Sequence, residues 1–147
     1  MTERGSRFVQ SLDRQSGMVI LSSDEQLAQF CSCSMIFMDG TFKTTPRLWS
    51  QLYLIKGKWN DNENVLLAGI LLPNKTYGTY IAMFRKLKSL IMEKTGQLFN
   101  PEIIMSDFES ALIPAVREEF PRTNHKGCFF HYTQSIYRFV QTSGLIA

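Results

Sequence analysis

The stretch Met35-Ile-Phe-Met-Asp39-Gly40-Thr41-Phe42 is an apolar run interrupted by one acid and one glycine. Two readings compete for it. Asp39-Gly40 could form a type I′ hairpin turn, which favours Asp-Gly. Alternatively the strand continues, because apolar and β-branched residues resume at Thr41 and Phe42. On the second reading Asp39 shares a face with Phe37 and Thr41. Gly40 then leaves room for close approach by another backbone or a ligand. A second run, Ile103-Ile-Met-Ser106-Asp107-Phe108, also meets an acid, 68 residues after the first. A carboxylate near the end of a buried strand is costly to desolvate unless something charged meets it. The two acids together therefore suggest strands that bring carboxylates around a cation.

Working outward, residues 1–16 are polar and are expected to be loose, leaving a domain over 17–147. Met18-Val-Ile-Leu21 is a short strand candidate. Ser23-Asp-Glu-Gln26 fits a capping box that opens a helix to about Phe30. The first long strand follows near 34–42. Leu48 to Trp59 alternates as a second strand and Val65 to Leu72 forms a third, so an antiparallel meander is expected. Tyr77, Tyr80, Ile81, Phe84, Leu87 and Ile91 fall on one face of a helix from about Thr76 to Thr95, with Gly96 as its stop. Arg85, Lys86, Lys88 and Lys94 on the other face read as a solvated surface. Glu102 to Phe108 is a fourth strand, able to run parallel to another through the helical crossover. Ser106 and Glu109 suggest a second capping box. Pro114 requires that helix to kink or to begin later, near Ile113. His125 to His131 is a fifth strand candidate, and a last helix is expected from about Tyr132. This order gives a mixed α/β chain, a meander first and crossovers afterwards. The aromatic helical pattern stops at Gly144-Leu-Ile-Ala147 without a polar tail, as expected of a domain truncated at its C-terminus.

Composition narrows the class. The chain has 147 residues, 44% hydrophobic and 12% aromatic, which suits one domain with a real core and excludes disordered and fibrous classes. The net charge of +3 permits a polyanionic partner without arguing for one. Three cysteines, Cys31, Cys33 and Cys128, are an odd count without disulfide-scaffold density, so a reducing, intracellular setting is expected. The N-terminus lacks the apolar core of a secretory signal, and no run is long enough to span a bilayer.

Asp107 alone is read equally well as a first-turn acid, stabilised by the helix macrodipole by about 0.3–1 kcal/mol, or as a ligand at the carboxyl end of a strand. If its strand lies parallel beside the first, Asp39 and Asp107 can point into one crevice. Mg²⁺ takes oxygen ligands from one or two carboxylates plus waters and phosphate. Pairs of such ions stabilise both oxygens of a phosphodiester displacement. A third acid is then expected. Glu109, Glu118 and Glu119 read as positions on the helix after Asp107 and do not supply it. Cys128-Phe-Phe-His131 is a C-x₂-H pair that could hold zinc with Cys31 and Cys33. The absence of CxxC spacing makes a locally hydrogen-bonded cysteine and histidine the preferred reading, with support of the acidic site or contact with DNA as a further role. His125 reads as a surface residue. Trp49, Trp59, Tyr53 and Tyr77 are better explained as strand and core aromatics than as base-stacking platforms.

Phe37-Met-Asp39-Gly40-Thr-Phe-Lys-Thr44, Gln51-Leu-Tyr53, Leu71-Leu-Pro-Asn-Lys-Thr76, Ser106-Asp-Phe-Glu109 and Gly127-Cys-Phe-Phe-His131 occur in this order. Together they resemble the Mutator-like element (MULE) transposase domain over about 17–147. The resemblance implies a ribonuclease H-like fold and a DDE transposase, which cuts and joins DNA ends with Mg²⁺ or Mn²⁺. It matches the first two catalytic, metal-binding aspartates to Asp39 and Asp107, and the family's Cys/His motif to Cys128 and His131. The third acid of that family, a glutamate, lies further downstream, so the isolated chain is expected to be inactive. Transposon-end DNA is the implied partner, a homo-oligomer is compatible with it, and nuclear or other intracellular localisation follows. Two alternatives stand beside it: an inactive, domesticated DNA-associated or protein-interaction domain, and a small zinc-stabilised module using Cys31, Cys33, Cys128 and His131.

Overall fold

A computed structural model of the chain describes residues 8–41, 49–60, 63–107 and 109–127. The expectations for Cys128, His131 and the helix from Tyr132 lie outside these residues. The first strands are β1 (Val9–Leu12) and β2 (Val19–Leu21), an antiparallel pair. β1 falls within the stretch read as loose from its polarity. Its polarity is that of an edge strand: Val9 and Leu12 face solvent, while Gln10 turns inward. The Gln10 amide donates to the Ser22 carbonyl at 3.0 Å and to Asp24 Oδ1 at 2.9 Å, tying β1 to the start of the next helix.

That helix, α1 (Asp24–Gln29), opens on the expected capping box. The Gln26 N–H donates to Ser23 Oγ at 3.0 Å, and the Ser23 N–H donates to Gln26 Oε1 at 2.8 Å. β3 (Met35–Thr41), β4 (Gln51–Asn60) and β5 (Glu63–Leu72) form the antiparallel meander. α2 (Tyr77–Thr95) follows, with Thr76 as its cap and Gly96 in the left-handed region at φ 70° as its stop. Its buried stripe is Tyr80, Ile81, Met83, Phe84, Leu87, Leu90 and Ile91. Tyr77, expected on that face, is exposed. It occupies the first helical position, ahead of the turn that packs.

The basic side of α2 is not simply solvated. Arg85 meets Glu119 at 3.2 Å, Lys88 meets Glu119 at 3.6 Å, and Lys94 meets Asp24 at 3.2 Å. The Lys94–Asp24 pair is exposed on both sides and contributes about 0–1 kcal/mol, whereas Glu119 is largely buried beneath Arg85 and Lys88.

β6 (Ile103–Ser106), α3 (Leu112–Glu119) and β7 (Asn124–Gly127) complete the described chain. The second capping box does not form. α3 begins at Leu112 with no side-chain cap, and Glu109 precedes the helix. Pro114 is then the third helical residue, where the missing N–H would have had no intrahelical partner.

Among the described residues the sheet has seven strands in the order β1-β2-β5-β4-β3-β6-β7. The pairings β3–β6 and β6–β7 are parallel and the others antiparallel, giving a mixed α/β fold. The core lies between one sheet face and the helices. A chain of edge-to-face rings joins its layers: Phe30 to Phe99 at 5.0 Å, Phe99 to Phe120 at 5.6 Å, and Phe120 to Phe84 at 5.1 Å. No described helix is long and apolar enough to cross a membrane.

Candidate functional site

Asp39 and Gly40 continue β3 and do not turn. Asp39 pairs with Leu54 and Gly40 with Tyr53 across the antiparallel ladder to β4. The hairpin-turn reading is thereby excluded. On the other side of β3, Met35 pairs with Ile103, Ile36 with Ile104 and Phe37 with Met105, in parallel. Each of these pairs is separated by 68 residues, the separation of Asp39 from Asp107. That ladder ends at Phe37–Met105, two residues short of each acid; Asp39 lies within β3, and Asp107 follows the last residue of β6. Neighbouring strands lie about 4.8 Å apart. Asp39 is exposed and Asp107 half-buried.

Ser106 and Ile104 turn to the helix side and are buried. The Ser106 hydroxyl donates to the Asp107 carbonyl at 2.9 Å and lies 2.6 Å from His125 Nε2. Which of the two groups donates in the His125 contact depends on the imidazole tautomer. His125 was expected at the surface. It is half-buried because β7 runs parallel to β6 and sets it level with Ile104.

Burial lowers the His125 imidazole pKa below its ordinary 6.5; Asp107 opposes this and Arg117 adds to it. A histidine held neutral in the fold binds a proton more readily once unfolded. Its contribution to stability is full above about pH 6.5 and is lost as pH falls through the lower folded value. The melting temperature is therefore expected to drop on acidification below pH 6.5, and His125→Asn should flatten that drop. A pH series of thermal melts checks this; parallel curves for native chain and variant would count against it.

Behind the acids stands a polar cluster that periodicity does not reveal. The Tyr80 hydroxyl donates to Glu109 Oε2 at 2.7 Å and accepts from Gln51 Nε2 at 2.9 Å. Gln51 and Tyr80 are buried. Gly40 serves this cluster: a Cβ there would lie 2.4 Å from Gln51 Oε1 and 3.4 Å from Tyr53 Cδ2. The room left by Gly40 is thus filled from β4. The Tyr53 ring packs against Tyr80 with centroids 5.9 Å apart. Burial pushes the Tyr53 phenol well above its usual range, and Asp107, Tyr80, Glu109 and Asp39 push it the same way. The Tyr80 phenol is also raised, first by burial and then by its bond to Glu109.

Among the described residues no three histidine, cysteine, aspartate or glutamate side chains converge to hold a metal ion. Asp39 and Asp107 offer hard oxygen donors, which suit a hydrated Mg²⁺ or Mn²⁺ bound through one or two carboxylates. Cys31 and Cys33 lie before the amino end of β3. Cys33 is buried, which raises its thiol pKa and works against a thiolate ligand.

The family model of the MULE transposase domain matches residues 35–135, a span that opens with β3 and includes both aspartates. The chain belongs to this family. A transposase-related function and interaction with DNA in general go with MULE membership. No curated protein matches the chain.

Proposed function

We propose that this MULE domain is part of the catalytic core of a DNA transposase, with a ribonuclease H-like sheet and with Asp39 and Asp107 as cation ligands. The observation that supports the reading is the parallel pairing of β3, which carries Asp39, with β6, which Asp107 follows. Mg²⁺ or Mn²⁺ bound there supplies charge stabilisation for the attacking and leaving oxygens of a phosphodiester displacement. Asp39 and Asp107 hold and orient that charge. The half-buried setting of Asp107 limits its freedom to move, and Ser106 and His125 fix the backbone beside it. Transposon-end DNA is the substrate, and a nuclear or other intracellular site follows from it.

A transposase-derived domain that associates with DNA or protein without cutting is the second reading. It is favoured by the lack of a third converging acid among the described residues. The two readings share the fold and differ in cation use. Calorimetric titration with Mn²⁺ tests this. Asp39→Asn and Asp107→Asn are each expected to weaken binding about tenfold or more, since even outer-shell partners are worth about 10–100-fold. Binding of equal strength in the native chain and both variants would remove the cation site.

A further inference from the structure

Tyr53 is 1% exposed, and its hydroxyl is the buried side-chain oxygen without a hydrogen-bond partner among the described residues. An unmade hydrogen bond leaves the desolvation of that group uncompensated, and phenylalanine would fill almost the same volume without that cost. Core packing therefore does not explain why a tyrosine stands here. Its surroundings do. β4 sets Tyr53 level with Gly40 and on the same face, the helix side of the sheet, opposite to the face of the Asp39 side chain. Its ring rests against Tyr80, whose own hydroxyl is committed to Glu109 and Gln51. The charges of Asp107, Glu109 and Asp39 all act on the Tyr53 phenol, which stays protonated and so remains a donor. The hydroxyl is thus a buried donor without a partner, in the field of these acids. The neighbouring phenol already shows what such a donor does there: Tyr80 holds Glu109 at 2.7 Å.

We propose that Tyr53 is a positioning residue of the cation site: its hydroxyl donates to the Asp107 carboxylate, directly or through one water, and turns that carboxylate toward a bound divalent cation. The inference rests on the reading of Asp39 and Asp107 as ligands. Carboxylates that bind metal ions are commonly held by such outer hydrogen bonds, and loss of one costs about 10–100-fold in metal affinity. Tyr80 and Tyr53 then form a paired floor, one phenol for the acid at 109 and one for the acid at 107.

The test is Tyr53→Phe in the full 147-residue chain. Thermal melts in chelator are followed by calorimetric titration with Mn²⁺, beside Asp39→Asn. The expected result is a metal-free melting temperature equal to or above that of the native chain, with Mn²⁺ affinity about tenfold weaker. A purely structural hydroxyl would give the opposite pattern, a lower melting temperature and unchanged affinity, and would overturn the proposal. Affinity within about twofold of native in Tyr53→Phe, together with lost binding in Asp39→Asn, overturns the role of Tyr53 alone. Unchanged affinity in Asp39→Asn overturns the ligand reading and this inference with it.

Discussion

Tyr80→Ala is expected to lower the stability of the chain by about 3–5 kcal/mol, the range for removing a large buried aromatic side chain. Tyr80 is fully buried on α2, packs against Tyr53 and joins β4 to the turn before α3 through its hydroxyl. The substitution opens a cavity between sheet and helix and strands the buried Gln51 amide. Tyr80→Phe separates these effects. It keeps the ring and removes the hydroxyl, so about 1–3 kcal/mol is expected from the unpaired Gln51 donor. Glu109 is half-buried and can find water, so its share is the smaller. Urea unfolding of the native chain and both variants, with unchanged slope, measures the two costs. A Tyr80→Phe variant as stable as the native chain would show that the Gln51–Tyr80–Glu109 chain holds nothing.

Gly57→Val is the second large effect. A Cβ at Gly57 would lie 2.5 Å from Cys33 Sγ, 2.8 Å from Leu67 Cδ1 and 3.0 Å from Cys33 Cβ. Cys33 and Leu67 are buried, so neither can swing into solvent to make room. Gly57 also pairs with Ile36 across β3, and a shift of β4 there would be passed along the ladder toward Asp39. Overpacking of this kind costs about 1–3 kcal/mol and sometimes more, and the two extra methyl groups of valine put this site at the upper end. Gly57→Ala should cost less, and Cys33→Ala should recover part of that loss because it removes the nearest atom. A double-mutant cycle on Gly57→Ala and Cys33→Ala, read by thermal melts, checks the coupling. Strictly additive costs would mean that the strand, not the cysteine, gives way.

Several local features were legible in the residues. Ser23 and Gln26 announced α1, Thr76 and Gly96 bracketed α2, and alternation from Leu48 to Trp59 followed by the run Val65 to Leu72 announced the meander. These signals depend on neighbours a few residues apart, which is why they survive without a fold. The second capping box failed for a corresponding reason. Ser106 and Glu109 have the right spacing, but their side chains are claimed by His125 and Tyr80, residues distant in sequence. His125 read as surface because its own segment is polar; only the parallel pairing of β7 with β6 buries it. The lysines of α2 read as solvated for the same reason, since Glu119 and Asp24 arrive from other elements.

The candidate site divides along the same line. Sequence alone determined that two acids interrupt apolar runs and that the surrounding motifs resemble one family; the pairing with β4 decided that Asp39-Gly40 continues the strand. Alternation and motif order are properties of the chain itself. Tertiary structure decided that β6 lies beside β3 and parallel to it. It also decided that Gly40 makes room for Gln51 and Tyr53, and that the Tyr53 phenol is buried without a partner. Register and burial arise from pairing between residues far apart in the chain. No local pattern encodes which strand will be the neighbour or which polar atom will be left facing the site.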